Sequence, residues 1–213
     1  LYHYAVLLPS RLELAQALRR MALRQTPIQG VADHGVSEAI YLHDPDGTGI
    51  EIYRDLPREE WPHDEQGRLS MGTDALDLDR LLDELEGLPE DWPGMPAGTR
   101  VGHVHLHVSN LPKAELFYSG VIGFNLIQRY GPSAAFLSAG GYHHHVGINT
   151  WNRAGGPPPE GSAGLRYYEI VVPDAEARAH IRANVEQANT PVEEREGRLF
   201  FRDPAGNGIA VTS

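Results

Sequence analysis

The feature that most limits the folds open to this chain is that it repeats itself. Leu1–Ser10 (LYHYAVLLPS) and Leu165–Asp174 (LRYYEIVVPD) are both apolar runs, rich in aromatic and β-branched residues, with a proline near the end. Such residues suit a pleated, half-buried surface, so each run reads as a strand. A helical stretch follows each. Ser10 and Glu13 have the spacing of a capping box ahead of a helix over Arg11–Arg24. Asp174 is placed to cap a helix over Ala175–Ala188, with Pro191 just beyond its end. Both units then close on one hairpin pattern. It reads Asp44-Pro45-Asp46-Gly47-Thr48-Gly49-Ile50 in the first and Asp203-Pro204-Ala205-Gly206-Asn207-Gly208-Ile209 in the second. Asp-Pro opens a turn, and glycine supplies the positive φ it requires.

A third copy lies between them. Val101–Val108 (VGHVHLHV) alternates strictly, as a strand does. Ser109-Asn110-Leu111 opens a helix through Glu115, Phe117 and Tyr118 to Gly123-Phe124, and Ala134–Ser138 and His145–Trp151 read as later strands. The chain therefore parses as βαβββ module A (1–53), an acidic linker (54–100), module B (101–151), a Gly/Pro linker (152–164) and module C (165–213). The acidic linker is expected to hold a helix over Leu76–Glu86 with an apolar face of Leu78, Leu81, Leu82 and Leu85. The chain opens directly on a strand, from which a further module ahead of A is expected.

Composition narrows the function. With 29 acidic against 18 basic residues the net charge is −11, which disfavours nucleic acid and anionic membranes as partners. There are no cysteines, so disulfides, thiolate nucleophiles and Cys-ligated metals are excluded. Their absence suits a reducing compartment, and a cytoplasmic location is expected. No apolar run reaches the roughly 18–20 residues of a membrane span.

Histidines carry most of the remaining chemistry. His103, His105 and His107 alternate with Val104, Leu106 and Val108; they read either as a functional row or as a solvated stripe behind an apolar face. Glu51 lies between Ile50 and Ile52 and so faces away from both. In His143-His144-His145, strand neighbours point to opposite faces, so at most two can converge. Gly47-x-Gly49 and Gly206-x-Gly208 are hairpin glycines, not a phosphate loop between strand and helix.

The modules resemble the vicinal-oxygen-chelate superfamily of glyoxalases, bleomycin-resistance proteins and extradiol dioxygenases. The resemblance is carried by Gly102–Leu111, Phe117-Tyr118, Gly123-Phe124 and the two Asp-Pro-x-Gly-x-Gly-Ile hairpins. Asp33–Leu42 (DHGVSEAIYL) and Ser138–Trp151 (SAGGYHHHVGINTW) are similar to bacterial catechol-2,3-dioxygenase-like two-domain proteins. It implies an α+β fold in which repeated βαβββ modules pair into cupped half-barrel sheets. It also implies a metal held by a first-strand His of one module and by a first-strand His and a last-strand Glu of its partner. Carried over, the ligands are His3 and Glu51 of module A and His103 of module B, the alternative donor being a residue of a module ahead of A. Module C offers Tyr167 and Ala210 at the matching positions, neither a suitable ligand.

Two imidazoles and a carboxylate leave adjacent metal positions open for substrate and O₂. The resemblance implies Fe(II), with Mn(II) or another divalent metal as the alternative. His34 would act as acid–base group and Tyr41 would hydrogen-bond the substrate, with His105 and His145 as further cleft or second-site candidates. The expected activity is extradiol ring cleavage of a catechol- or hydroquinone-like aromatic diol by O₂, in a homo-oligomer. Two other functions fit the resemblance. One is a glyoxalase-like metal-dependent isomerase or lyase, which uses four protein ligands. The other is a metal-free ligand-binding protein of the bleomycin-resistance type.

Overall fold

The structure, a computed structural model, describes residues 1–213 except 93, 152–158 and 160. Most of the expected Gly/Pro linker thus lies outside the described residues. The chain divides into two compact units, residues 2–103 and residue 1 with 104–213. It is a mixed α+β protein, and βαβββ is the recurring order of its elements.

In the first unit, β1 (His3–Leu8), α1 (Arg11–Leu23), β2 (Gly30–Asp33), β3 (Ser37–His43) and β4 (Gly49–Asp55) follow one another. The strands order as β2-β3-β4-β1, and the start of β5 (Arg100–His107) lies at the free edge of β1. β1 runs parallel to β4, with Ala5 opposite Glu51 and Leu7 opposite Tyr53. The sheet uses its two faces differently. Leu8, Ile40 and Leu14, Leu18 and Met21 of α1 form an apolar layer on one side. Ala5, Leu7, Ala39 and Tyr53 pack on the other, the side that carries Glu51. Ser10 takes the N-cap position of α1 with extended backbone, but its hydroxyl donates to the Glu13 carboxylate and caps no amide. Ser10 and Glu13 thus meet side chain to side chain, not through the reciprocal amide bonds of the expected capping box.

Residues 54–100 are less of a linker than their composition suggests. Trp61 is buried and donates its Nε1–H to the Leu56 carbonyl at 2.9 Å. Farther on, Asp74 pairs with Asp33 of β2 through both backbone hydrogen bonds, at 2.8 and 3.0 Å. The helix is shorter than expected: α2 spans Leu78–Leu82 and tightens into a 3₁₀ turn at Asp83–Leu85. So short a segment presents only a narrow apolar stripe. Leu81 and Leu85 take it, together with Leu76 ahead of the helix, while Leu78 and Leu82 are exposed.

In the second unit, β5 from Val104 onward leads a sheet ordered β5-β8-β7-β6, with β6 at Asn125–Tyr130, β7 at Ala134–Ser138 and β8 at Val146–Asn149. The helix after β5 begins as α3 (Leu111–Leu116), capped by Asn110 Oδ1 on the Lys113 amide at 2.9 Å. It then widens into a π-helical turn over Phe117–Ile122, closed by Gly123 at φ +94°. The last repeat is β9 (Tyr168–Val171), α4 (Ala175–Gln187), β10 (Glu193–Arg195), β11 (Arg198–Arg202) and β12 (Gly208–Thr212), ordered β10-β11-β12-β9. Asp174 caps α4 through the Ala177 amide at 2.8 Å. One apolar core, including Leu106, Tyr118, Ile148, Val185, Leu199 and Ile209, serves both repeats of this unit. His105 lies on the face of β5 opposite Leu106 and is nevertheless buried, at 3% exposure, so β5 carries no solvated histidine stripe there.

The hairpins repeat in atomic detail. Asp44 Oδ1 accepts from the amides of Asp46 and Thr48 at 3.0 and 2.8 Å; Asp203 Oδ1 accepts from Ala205 and Asn207 at 2.9 and 2.8 Å. Gly47 and Gly206 sit at φ +84° and +89°, where only glycine is relaxed. Among the described residues, no helix is long and apolar enough to cross a membrane.

Candidate metal centre

The site is assembled by strand register in the first unit. His3 on β1 pairs with Gly49 on β4, and Ala5 pairs with Glu51. Each large side chain is thus set opposite a small one, so His3 and Glu51 reach the same space diagonally. Gly49 is required by that closeness: a Cβ there would stand 2.5 Å from the Tyr2 carbonyl oxygen and 2.9 Å from His3 Cβ. His103, from the start of β5, supplies the third side chain.

The Nε2 atoms of His3 and His103 each lie 3.0 Å from one oxygen, Oε2 of Glu51. One potential ligand atom from each of the three residues falls within 4.8 Å of the others, and all three residues are buried. Exposure is 7% for His3 and 3% for Glu51 and His103. Burial opposes ionisation of Glu51, but His103 and then His3 outweigh it and hold the carboxyl well below the usual carboxylate range. Three buried polar side chains focused on one point are costly unless something is shared there. His103 Nε2 hydrogen-bonds this anionic oxygen and His3 Nε2 lies at ion-pair distance from it; a divalent cation can take the protons' place and accept all three lone pairs. The donor set fits such an ion, and the trio could hold one.

Beside it stands a second pair. His34 Nε2 is 2.7 Å from the Tyr41 hydroxyl, and its Nδ1 is 2.8 Å from the Gly72 carbonyl. A carbonyl only accepts, so Nδ1 carries a proton; in the tautomer with that proton alone, Nε2 is the acceptor facing Tyr41. Tyr41 is the β3 partner of Glu51, and its ring centroid is 5.9 Å from that of His3. Burial, and then the Glu51 carboxylate, push the Tyr41 phenol well above its ordinary value, so it is a hydroxyl donor near neutrality. The turn bearing His34 is fixed by Asp33 Oδ1 on the Gly35 amide at 2.8 Å. Gly35 has φ +73°, and a Cβ on it would meet Pro62 Cγ at 2.9 Å.

The other histidines sit elsewhere. His105 packs against Phe136 and Trp151, at 5.8 and 5.3 Å between ring centroids. Its β8 partner is Gly147, and a Cβ there would come 2.9 Å from the His105 ring. By register Gly147 matches Glu51, and His105 matches Ala5. This repeat therefore places its large side chain on the first strand and offers no carboxylate. His145 Nδ1 accepts from the Ala139 amide at 3.3 Å and contacts Ser138 Oγ at 3.0 Å, and its ring faces Phe124 and Tyr142. His143 and His144 bring their Nδ1 atoms within 2.8 Å of each other. Among the described residues, none of these joins the trio. In the last repeat the matching side chains are Tyr167, which is exposed, and Ala210, which is buried. Gly72 has no sequence signal at all, because any residue's carbonyl can accept a hydrogen bond.

Comparison with known proteins adds to this geometry. The profile of the Glyoxalase/Bleomycin resistance protein/Dioxygenase superfamily matches residues 100–211. A catechol-2,3-dioxygenase of Bacillus subtilis (strain 168) is 46% identical over 214 residues, spanning 100% of this chain and 74% of that protein. A solved B. subtilis structure, described as that of a candidate dioxygenase, superposes with a TM-score of 0.62 at 13% identity. That match spans 99% of this chain and 60% of the other, and it bears on the fold alone.

Proposed function

Because the chain belongs to the glyoxalase/bleomycin resistance protein/dioxygenase superfamily, we propose that it is an extradiol dioxygenase. On this reading it opens the ring of a catechol- or hydroquinone-like diol with O₂, using Fe(II), or in its place Mn(II), held by His3, Glu51 and His103. The observation that carries the proposal is the convergence of two imidazole nitrogens on one buried carboxylate oxygen, in a chain 46% identical to a catechol-2,3-dioxygenase.

A divalent ion bound there would act as a Lewis acid toward the two oxygens of a diol and, if redox-active, link its oxidation to O₂. The protein's own part is proton handling and exclusion of water. Glu51, already ionised, contributes negative charge without needing to lose a proton on loading. Tyr41 points a hydroxyl toward the site that hydrogen-bonds substrate oxygen. His34 stands behind it with Nε2 as acceptor, so a proton leaving the diol can pass to Tyr41 as the Tyr41 proton passes to His34. The Gly72 carbonyl keeps the His34 ring in the tautomer this needs.

Four-ligand isomerase chemistry would call for a second carboxylate. The positions that match Glu51 in the other two repeats hold Gly147 and Ala210, which favours the three-ligand reading. The test is protein loaded with Fe(II) under anaerobic conditions, then mixed with O₂ and a panel of catechols and hydroquinones. Ring-fission absorbance matched by O₂ uptake is expected, and both should vanish in Glu51→Ala. No ring fission from any member of the panel would overturn the proposal.

A further inference from the structure

We propose that Tyr53 is a positioning residue for His103, seated in a notch that Gly102 keeps open; this rests on the reading of the trio as a metal centre. Tyr53 lies two residues past Glu51 on β4 and therefore shares its face of the strand. It is fully buried, at 0% exposure. Its backbone partner is Leu7 on β1, yet its ring extends across β1 as far as β5. A Cβ built on Gly102 would stand 1.9 Å from Tyr53 Oη, 2.8 Å from its Cζ and 3.1 Å from Leu7 Cβ. The phenol tip thus fills the volume that any other residue at 102 would need.

Gly102 is not among the positive-φ glycines. Its lack of a side chain therefore answers to space and not to backbone conformation. The same ring stands 5.0 Å from the His103 ring, centroid to centroid, tilted by 52°. Tyr53 thus abuts both the backbone one residue ahead of His103 and the imidazole itself. Packing of this kind removes rotamers from a side chain that must meet an ion within a few tenths of an ångström. The arrangement accompanies the ligands. By register, Tyr53 corresponds to Asn149 and Thr212 in the two repeats whose Glu51 positions hold Gly147 and Ala210.

The test reads Co(II) binding in full-length protein by chelator competition and by the visible Co(II) spectrum, with thermal melting of the apo form alongside. Tyr53→Leu and Gly102→Ala are each expected to weaken Co(II) binding about 10–100-fold, the usual range for groups behind a metal ligand. Both should also shift the Co(II) bands. The two effects should be less than additive in the double variant, because leucine vacates the space the new Cβ enters. Leu14→Ala, in the apolar layer on the other face of the sheet, should lower the melting temperature while leaving affinity and bands unchanged. If Tyr53→Leu does not fold, Tyr53→Phe removes the Oη that fills the notch and should shift the bands in the same direction. Wild-type affinity and bands in the Tyr53 and Gly102 variants would overturn the positioning role alone. Equal Co(II) binding by wild type and Glu51→Ala would overturn the metal reading, and this proposal with it.

Discussion

His34 is held between partners of opposite character, the Gly72 carbonyl on one nitrogen and the Tyr41 hydroxyl on the other. That pairing makes its role separable from the ligands' role. His34→Gln should lower kcat by about 10²–10⁴-fold, the usual worth of a positioned acid–base group, with a much smaller change in KM. Tyr41→Phe should lower it by a comparable factor, because without the relay hydroxyl His34 no longer receives the proton. Steady-state O₂ uptake by metal-loaded protein measures both, and an undiminished kcat in His34→Gln would remove His34 from the chemistry. The residues around the site were unequally visible in the sequence. His3 and Glu51 are placed by what the family resemblance implies, and a strand's period of two adds only that Glu51 faces away from Ile50 and Ile52. Gly72 acts through its backbone, and Gly102 through what it lacks, and neither leaves a mark on residue type.

At the scale of elements, one buried carboxylate ties the first unit together. Glu38 on β3 accepts from Arg11 of α1 at 2.9 Å and from Arg54 of β4 at 2.8 Å, and Arg11 also donates to the Arg80 carbonyl of α2 at 2.9 Å. Burial opposes its ionisation, but Arg11 and Arg54 outweigh it and hold Glu38 below its ordinary value of 4.5. The sign follows from that direction. A depressed folded-state pKa adds stability that is present above the ordinary carboxylate value and is lost as pH falls through the folded value. Glu38→Gln should therefore be destabilising at pH 7, by about 1–2 kcal/mol for a hydrogen bond between charged groups discounted because Arg11 is partly exposed and keeps Glu84 as a partner. Urea denaturation should find the gap between variant and wild type narrowing below the ordinary glutamate value. A gap independent of pH would mean that charge is not what Glu38 contributes. Element boundaries were readable where caps and turns set them, as at Asp174 and the two Asp-Pro hairpins. The π-helical turn at Phe117–Ile122 was not, because its apolar spacing is compatible with an ordinary helix. Residues 54–100 read as a linker because their contacts run through Trp61, a few leucines and backbone bonds to β2, with no sustained periodicity.

For the molecule as a whole, the internal repeat was the most legible property, since three copies of one strand–helix–strand order leave few folds to choose from. What the repeat could not say is where contacts would cluster. All three candidate ligands fall within residues 2–103. An ion that binds the folded form alone stabilises it by about 2.7 kcal/mol at one hundred times its Kd. Loading should raise the melting temperature, and the added hydrogen-exchange protection should be concentrated in residues 2–103. Protection gained mainly in residues 104–213 would place the ion elsewhere.

The pairing of Ala5 with Glu51 in one repeat, and of His105 with Gly147 in another, also bears on how such a chain can evolve. A carboxylate cannot enter at position 147 while the imidazole fills its place, since even a methyl group there would collide with the ring. Shrinking His105 first would open a void in a close-packed layer. Relocating the buried carboxylate from one repeat to the other therefore needs two coordinated substitutions, with a penalised intermediate on either route. That mutual dependence is a barrier against exchange of roles between the copies once they have diverged.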